Sequence, residues 1–568
     1  MMLSSLKVPG VYVQEVSLLP PSVAAVATSV PAFLGYTERQ PEGTAGFPVR
    51  VESMLEFTSL FGGPPTIQFD GVTLNARGEV STTVASLPYY LYQSLRLFYA
   101  NGGGRCYVSS VGTYTDDNEL AGVAFLPTDG NAIHPLDEIG KVDEITLLLA
   151  PDAVRLPTAD LQNLHQTLLT QCGTLMDRFA ILDVNQNRDG NDNLNGKVDL
   201  TTFRTGVGQQ YLSYGAAYAP MLRVVPPGTV NYLSHGALKI TGGGGASLRA
   251  HVNQLIIDGN GLVVNPYAGW NLLTDAHEAY VSDMTDDPDI KQALVDSLTA
   301  FTAANGITLP TTDDGSPAAS LKVYSDAIAS DAGLDALNTA RADVLTRLPV
   351  FAAYERGLRA ALPAYGALAA YLEALAFDLP PSGAVAGVFA RTDANRGVWK
   401  APANVSINGI VGVSERYTSS ALAGMNVHPG TGKSVNAIRA LTGHGILIYG
   451  ARTLAGNDGE YRYVSVRRLL NFLEESIKKA SQDFIFEAND VNTWTRMRGM
   501  IENFLNLQWR AGALQGATPA EAYRVRIGLG TTMTADDVTN GRMIVSISVA
   551  PVRPAEFIVL RFIQHQLK

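Results

Sequence analysis

Three hydrophobic periodicities lie side by side between Val435 and Gln566, and the rest of the chain is read against that stretch. Gly445 to Tyr449 is a short apolar run, Ile446-Leu447-Ile448-Tyr449, and its spacing predicts a buried strand. Leu469, Phe472, Leu473 and Ile477 recur at helical spacing. Glu474–Lys478 and Glu475–Lys479 stand in the favourable i,i+4 order on the opposite face. A second helix follows, with Trp494, Met497, Ile501, Phe504 and Leu505 on one stripe. Met543, Val545, Ile547 and Val549 then alternate as in a strand, and Pro551 and Pro554 break the run. From Phe557 to Ile563 the chain is apolar on both faces apart from Arg561, a composition that demands burial on both sides.

Upstream, VPGVYVQEV (Val8 to Val16) reads as an extended segment opened by a Pro-Gly turn; at about 3.3 Å per residue it reaches roughly 30 Å. A second strand pattern runs through Ser22 to Glu38. Val49 and Val51 mark a strand leading into a short helix that stops at Gly62-Gly63. Thr82 to Ala100 reads as one helix, with Val84, Leu87, Leu91, Leu95 and Phe98 on a face, and Cys106 to Val108 as the next strand. Leu147–Ala150 and Phe179–Leu182 flank a helix from Thr158 to Gln171, a βαβ alternation that implies a parallel sheet. Asp283 to Asp378 is rich in Ala, Leu and Asp and reads as three or four helices around Pro310 and Pro349; Pro380-Pro381-Ser382-Gly383 reads as a linker.

Composition narrows the function classes. A chain of 568 residues exceeds one core, so two to four domains are expected. A net charge of −11 argues against a general nucleic-acid binder, whose phosphate contacts need a basic surface. Cys106 and Cys172 lack metal-ligand spacing, and no metal site is assigned. The first ten residues lack the apolar core of a signal peptide, and the run Ala360–Leu372 ends at Glu373, short of a membrane span. Synthesis in the cytoplasm is therefore expected, without direct membrane insertion.

Several stretches mimic chemical motifs. Pro429 to Ser434 resembles the end of a phosphate-binding loop, but Val427 stands where its first glycine belongs; an inter-domain loop is expected. Asn185 to Gly190 mimics a calcium loop whose twelfth position is Gly196, without the bidentate carboxylate. Thr532 sits in a turn faintly similar to a serine-protease nucleophile loop, and His235 and His444 lack triad surroundings. No catalytic residues and no cofactor are assigned, and the chain is expected not to be an enzyme.

Five motifs in order carry a resemblance to the contractile tail sheath family: YGARTL (Tyr449–Leu454), RRLLNFLEESIKKA (Arg467–Ala480), FEANDVNTW (Phe486–Trp494), WRAGALQGATPAEAY (Trp509–Tyr523) and APVRPAEFIV (Ala550–Val559). ARTDANRGVWKAPAN (Ala390–Asn404), NGGGRCYVSSV (Asn101–Val111) and PGVYVQEV (Pro9–Val16) resemble further parts of the family; Tyr449 stands where the family often has Trp.

The resemblance implies an α/β, mixed α+β, multidomain fold. An N-terminal arm and first strands (1–36) precede an α+β region (37–142). A subtilisin-like middle domain (143–410) with a helical insertion near 283–378 and a linker loop (411–434) lead to the C-terminal sheath domain (435–568). It implies hexameric rings stacked around an inner tube, with baseplate and tail terminator or cap proteins as partners, in a phage tail or tail-like injection particle. Strands exchanged between subunits would be carried by Val11, Tyr12, Val13 and Val16 at one end and Phe557, Val559, Leu560, Phe562 and Ile563 at the other. An exposed strand edge is a template for pairing, which suits the apolar character of both segments. The outward charges Glu474, Glu475, Lys478 and Lys479 are the expected inner-tube contact, since exposed ion pairs are weak enough to release. A static tube built by the same strand exchange, and a hydrolase on the subtilisin-like scaffold, are the alternatives.

Overall fold

The computed structural model describes residues 23–557, apart from 76–78, 115–119, 121, 127–132, 189–193, 229, 231–237, 242–246, 259–267, 284–287, 305–306, 312–315, 317, 331–333 and 348. The chain folds into two compact units, one built from 1–65, 89–224 and 378–568, the other from 66–88 and 225–377.

The first unit is organised by a nine-stranded sheet among the described residues. Its strands are β1 (Pro31–Thr37), β2 (Pro48–Val51), β3 (Cys106–Thr113), β4 (Leu147–Leu149), β5 (Phe179–Asp183), β6 (Gly215–Ala219), β7 (Val405–Ser406), β8 (Asn436–Leu441) and β9 (Gly445–Ile448). The order across the sheet is β7-β9-β8-β6-β5-β4-β1-β3-β2. From β8 through β6, β5, β4 and β1 to β3 the pairing is parallel, with Phe33 opposite both Leu149 and Val108. Antiparallel pairing occurs only toward the two ends of the sheet, β2 with β3 at one and β9 with both β8 and β7 at the other. Ala32, Leu34, Leu148, Ala180, Leu182 and Ala217 face one core, shared with Leu161, Leu164 and Leu168 of α2 (Thr158–Leu175). The alternate residues of the strands are buried as well: Phe33 meets Phe98 of α1 (Leu91–Ala100) edge-on, and Tyr218 meets Phe389 of α3 (Ser382–Arg396). Burial of both faces explains why these strands read as unbroken apolar runs.

Four sequence expectations differ from the structure. The helix expected from Thr82 begins only at Leu91, and Val80–Ser86 is a strand of the second unit. Pro88 separates them, and β-branched Val80, Thr82, Thr83 and Val84 favour the extended form. Pro381, Ser382 and Gly383 form no exposed linker but the buried start of α3; Asp183 accepts the Ser382 N–H at 2.9 Å there. The strands β8 and β9, read from sequence as the head of the C-terminal domain, hydrogen-bond into the central sheet. The stretch 411–434, read as a loop, holds a helix over Ser419–Asn426.

After β9 come α4 (Val464–Ser481) and α5 (Val491–Arg510), the two helices that the periodicity predicts. Leu469, Phe472, Leu473 and Ile477 of α4 pack against Trp494, Met497, Ile501 and Phe504 of α5, as the periodicity required. Asp490 caps α5 by accepting from Thr493 N at 2.9 Å. A two-stranded antiparallel ribbon, β10 (Tyr523–Arg526) with β11 (Ser546–Val549), closes this part.

The second unit holds the hairpin Gln68–Leu74/Val80–Ser86, joined in parallel by Ile240–Thr241. Helices Leu248–Asp258, Ala268–Asp283, Pro288–Ala304, Ala319–Ala329, Leu334–Arg347, Pro349–Ala361 and Pro363–Glu373 accompany it. Trp270, Phe301, Leu321, Tyr324 and Tyr365 fill its core. Within it His277 lies between Tyr324 Oη (2.8 Å) and Asn338 Oδ1 (2.9 Å).

Candidate inter-subunit interface

Of the residues expected to be exchanged, Val11, Tyr12, Val13 and Val16 lie outside the described residues, as do Val559, Leu560, Phe562 and Ile563. Phe557 is described and is 74% exposed. What the structure defines is the ground next to each segment.

On the N-terminal side, Val23 and Val26 pack against the α4–α5 core, and Val26 N donates to Ser476 Oγ at 3.2 Å. Two residues later the backbone meets a buried ion pair. Arg468 of α4 binds Asp393 of α3 at 2.5 and 3.1 Å, and both side chains are less than one-tenth exposed. Arg468 Nη2 also donates to Thr28 O (2.8 Å) and Ser29 Oγ (3.1 Å). The Thr28 hydroxyl donates to Asp393 Oδ2 at 2.7 Å, and the Ser29 hydroxyl donates to the same oxygen. The Phe389 ring centroid lies 4.6 Å from the Arg468 guanidinium carbon. A buried charge pair is tolerable only when its remaining donors and acceptors are satisfied, and here residues 28–29 supply those partners.

On the C-terminal side the same chemistry recurs. Arg452 grips Glu556 through Nη2–Oε2 at 2.5 Å and Nε–Oε1 at 3.0 Å, and donates to Gly456 O at 2.6 Å. Asn426 (2.9 Å) and the Tyr463 hydroxyl (3.2 Å) donate to the same carboxylate. Burial pushes the Glu556 pKa up, but Arg452, Asn426 and Tyr463 outweigh it and hold the group below the usual glutamate range. Upstream of Glu556, Gln515 N donates to Ala550 O (2.9 Å) and Val552 N to Ala513 O (3.2 Å). The β10–β11 ribbon has no third strand among the described residues, and Ile544 and Ile547 are 42% and 37% exposed beside it.

The charged face of α4 departs from its sequence reading. Glu475 does not face outward: it is 8% exposed and holds Lys478 at 3.0 Å and Lys479 at 3.6 Å. Glu474 pairs with Arg467 at 3.1 Å, not with Lys478. The i,i+3 reach from Glu475 to Lys478 wins because burial of the carboxylate draws both cations to it. Lys479 lines a groove of about 310 Å³ with Ala27, Thr28, Arg105, Asp143 and Asp177.

The stretches that mimic chemical motifs have structural roles. Lys433 of the phosphate-loop mimic is buried, and its ammonium donates to Arg204 O. The Thr532 hydroxyl donates to Ile544 O at 2.7 Å, and His444 sits exposed in the β8–β9 turn. His235 and part of the calcium-loop mimic lie outside the described residues.

Sequence reading missed Arg468, Asp393, Arg452 and Glu556 as working residues. A signal was present: they sit inside RRLLNFLEESIKKA, ARTDANRGVWKAPAN, YGARTL and APVRPAEFIV, motifs that carried the family resemblance.

Comparison with known proteins agrees with those motifs. The phage tail sheath protein central domain matches residues 292–454, and the phage tail sheath C-terminal domain matches 457–564. Residues 292–564 thus carry the two matched domains of phage tail sheath proteins. The tail sheath protein of Vibrio phage KVP40 is 27% identical over 187 residues, 33% of this chain and 26% of its own; the chain thus spans about a quarter of that phage protein. A chain of the six-fold symmetrised anti-feeding prophage baseplate is 26% identical, with a TM-score of 0.54 and coverage of 99% of this chain and 100% of that one. A chain of the anti-feeding prophage helical sheath in its contracted state matches at 26% identity and TM-score 0.53, with the same coverages.

Proposed function

We propose that this chain is the sheath subunit of a contractile phage tail or phage-tail-like injection system. The observation that carries the reading is its similarity over 99% of its length to a chain of a contracted helical sheath. Hexameric rings of the subunit stack around an inner tube, between a baseplate and a terminator or cap. The segments containing Val11, Tyr12, Val13 and Val16, and Phe557, Val559, Leu560, Phe562 and Ile563, cross to neighbouring subunits as strands. The β10–β11 ribbon is the acceptor, because an antiparallel pair with open edges and half-exposed isoleucines is completed by added strands. Contraction runs from a metastable extended state to a better-bonded one, and the energy is stored in the assembly.

Lys478 and Lys479, held in place by buried Glu475, together with Glu474 form the inner-tube contact. Replacing both lysines with glutamine is expected to leave the subunit folded and to abolish co-purification of tube with sheath; undiminished co-purification sinks that assignment. Charge reversal is the poorer test, because it would face Glu475 with two further carboxylates.

The test of the whole reading is negative-stain electron microscopy of the full chain beside versions lacking 1–16 or 558–568, which leave both ion-pair networks intact. Striated hollow tubes from the full chain, lost in both truncations, are expected. Tubes that persist in the truncations would refute strand exchange, and tubes of one invariant ring spacing under every condition would favour a static tube.

A further inference from the structure

Both networks described above converge on one helix. Arg468 lies in the second turn of α4, and Tyr463, a donor to Glu556, is that helix's N-cap residue. Five residues separate them, about 8 Å along a helix axis. Arg452 is tied to the same place, since its guanidinium lies 5.8 Å from the centre of the Tyr463 ring and Val464 N donates to Ala451 O at 3.0 Å. Both terminal segments therefore depart from points bonded to the first turns of α4.

We infer that Val26–Ser29 and Glu556 are fixed roots: they stay clamped to α4 of their own subunit in free and assembled chain alike, and exchange begins only beyond them. The inference rests on the strand-exchange reading above and adds where the body ends and each arm begins. Its physical basis is the cost of the alternative. Withdrawing residues 28–29 would strip Arg468 and Asp393 of four hydrogen bonds inside the protein, and withdrawing Glu556 would leave Arg452 buried without its counter-charge. A pull on one arm then reaches the other through a turn or two of rigid helix. Subunits are thereby linked from neighbour to neighbour by a path that bypasses the central sheet.

The test is a reversible lock. Val26 N stands 3.2 Å from Ser476 Oγ, which brings the two residues close enough for a V26C/S476C pair, its disulfide verified by mass before polymerisation; the native Cys106 and Cys172 are buried. Full-length chain carrying the pair is polymerised reduced and oxidised, and imaged for yield and ring spacing. The expected result is the same tubes in both states, because the locked contact never opens. Tubes from the reduced chain alone would overturn the inference. An absence of tubes in both states, with tubes from the unaltered chain, is read through the second measurement. That measurement is hydrogen exchange on the unaltered chain, before and after polymerisation. Val26, Val30, Ala550 and Val552 amides should exchange slowly and equally in both states, while residues 8–16 and 558–563 slow at least tenfold on polymerisation. Root amides that exchange fast in the free chain, or change on assembly, overturn the inference; failure of the unaltered chain to polymerise removes the strand-exchange reading and the inference with it.

Discussion

Arg468 and Asp393 meet at 2.5 Å inside the protein, and the backbone of Thr28 and the hydroxyl of Ser29 complete their hydrogen bonding. Three segments far apart in sequence, residues 28–29, α3 and α4, are joined by this one pair. Removing one partner leaves the other charge buried and unpaired, which costs about 3–5 kcal/mol. D393A and R468A are each expected to lose that much unfolding free energy in urea titration, and D393N less. A loss below about 1 kcal/mol in both would mean that the pair is solvated in solution.

Glu556 makes the C-terminal root sensitive to acid. Its folded pKa is held below the ordinary value, so the unfolded chain binds its proton first as pH falls. The stability it contributes is complete at neutral pH, declines below about 4.3 and is gone once pH passes the folded pKa. Thermal melts between pH 3 and 7 should show a shallower acid limb for E556Q than for the unaltered chain.

Asp183 predicts the opposite slope. It is fully buried at the end of β5, and burial raises its pKa to about 7 despite the Ser382 N–H. An exposed aspartate titrates near about 4, so between those values the folded chain keeps a proton that the unfolded chain has lost. Stability therefore falls as pH climbs from about 4 to about 7, then levels off. D183N is expected to flatten that window in melts followed by circular dichroism; an unchanged slope would place the effect elsewhere.

Gly383 and Gly387 bring α3 against α1. A methyl group on Gly383 would sit 2.5 Å from Ser94 O and 2.8 Å from Ser94 Cβ, and one on Gly387 would strike Phe98 O. Helix backbone cannot step aside as a side chain can, so each alanine forces the pair apart. G383A and G387A should each lower unfolding free energy by about 1–3 kcal/mol, the usual range for overpacking. Equal stability in both would show that the two helices have slack.

The extent of legible information differs from element to element. The amphipathic pattern from Leu469 to Ile477 and from Trp494 to Phe504 named the faces that α4 and α5 bury, because a helix face is set by residue spacing alone. The same local logic located β4, α2 and β5, and with them a parallel sheet. Motifs in order were enough for the family. Local pattern failed at Val80–Ser86, where alternation and helical spacing coincide over a few residues and Pro88 decides. It failed at Ser382 too, where Pro and Gly suggest a linker and burial against the sheet makes a helix start.

The placement of charge was beyond the sequence altogether. Glu474 and Glu475 are neighbours of one residue type, yet one is exposed and reaches the buried Arg467 while the other is buried under two lysines. Nothing local distinguishes them; the packing of α4 does. The four residues at the arm roots were visible only as letters in motifs. Their pairings, Arg468 with Asp393 across 75 residues and Arg452 with Glu556 across 104, are made by tertiary folding. Periodicity reports which side of an element avoids water, and so the sequence by itself determined the elements, their buried faces and the family. Which distant charge answers which is set by long-range geometry, and only the folded chain decided it.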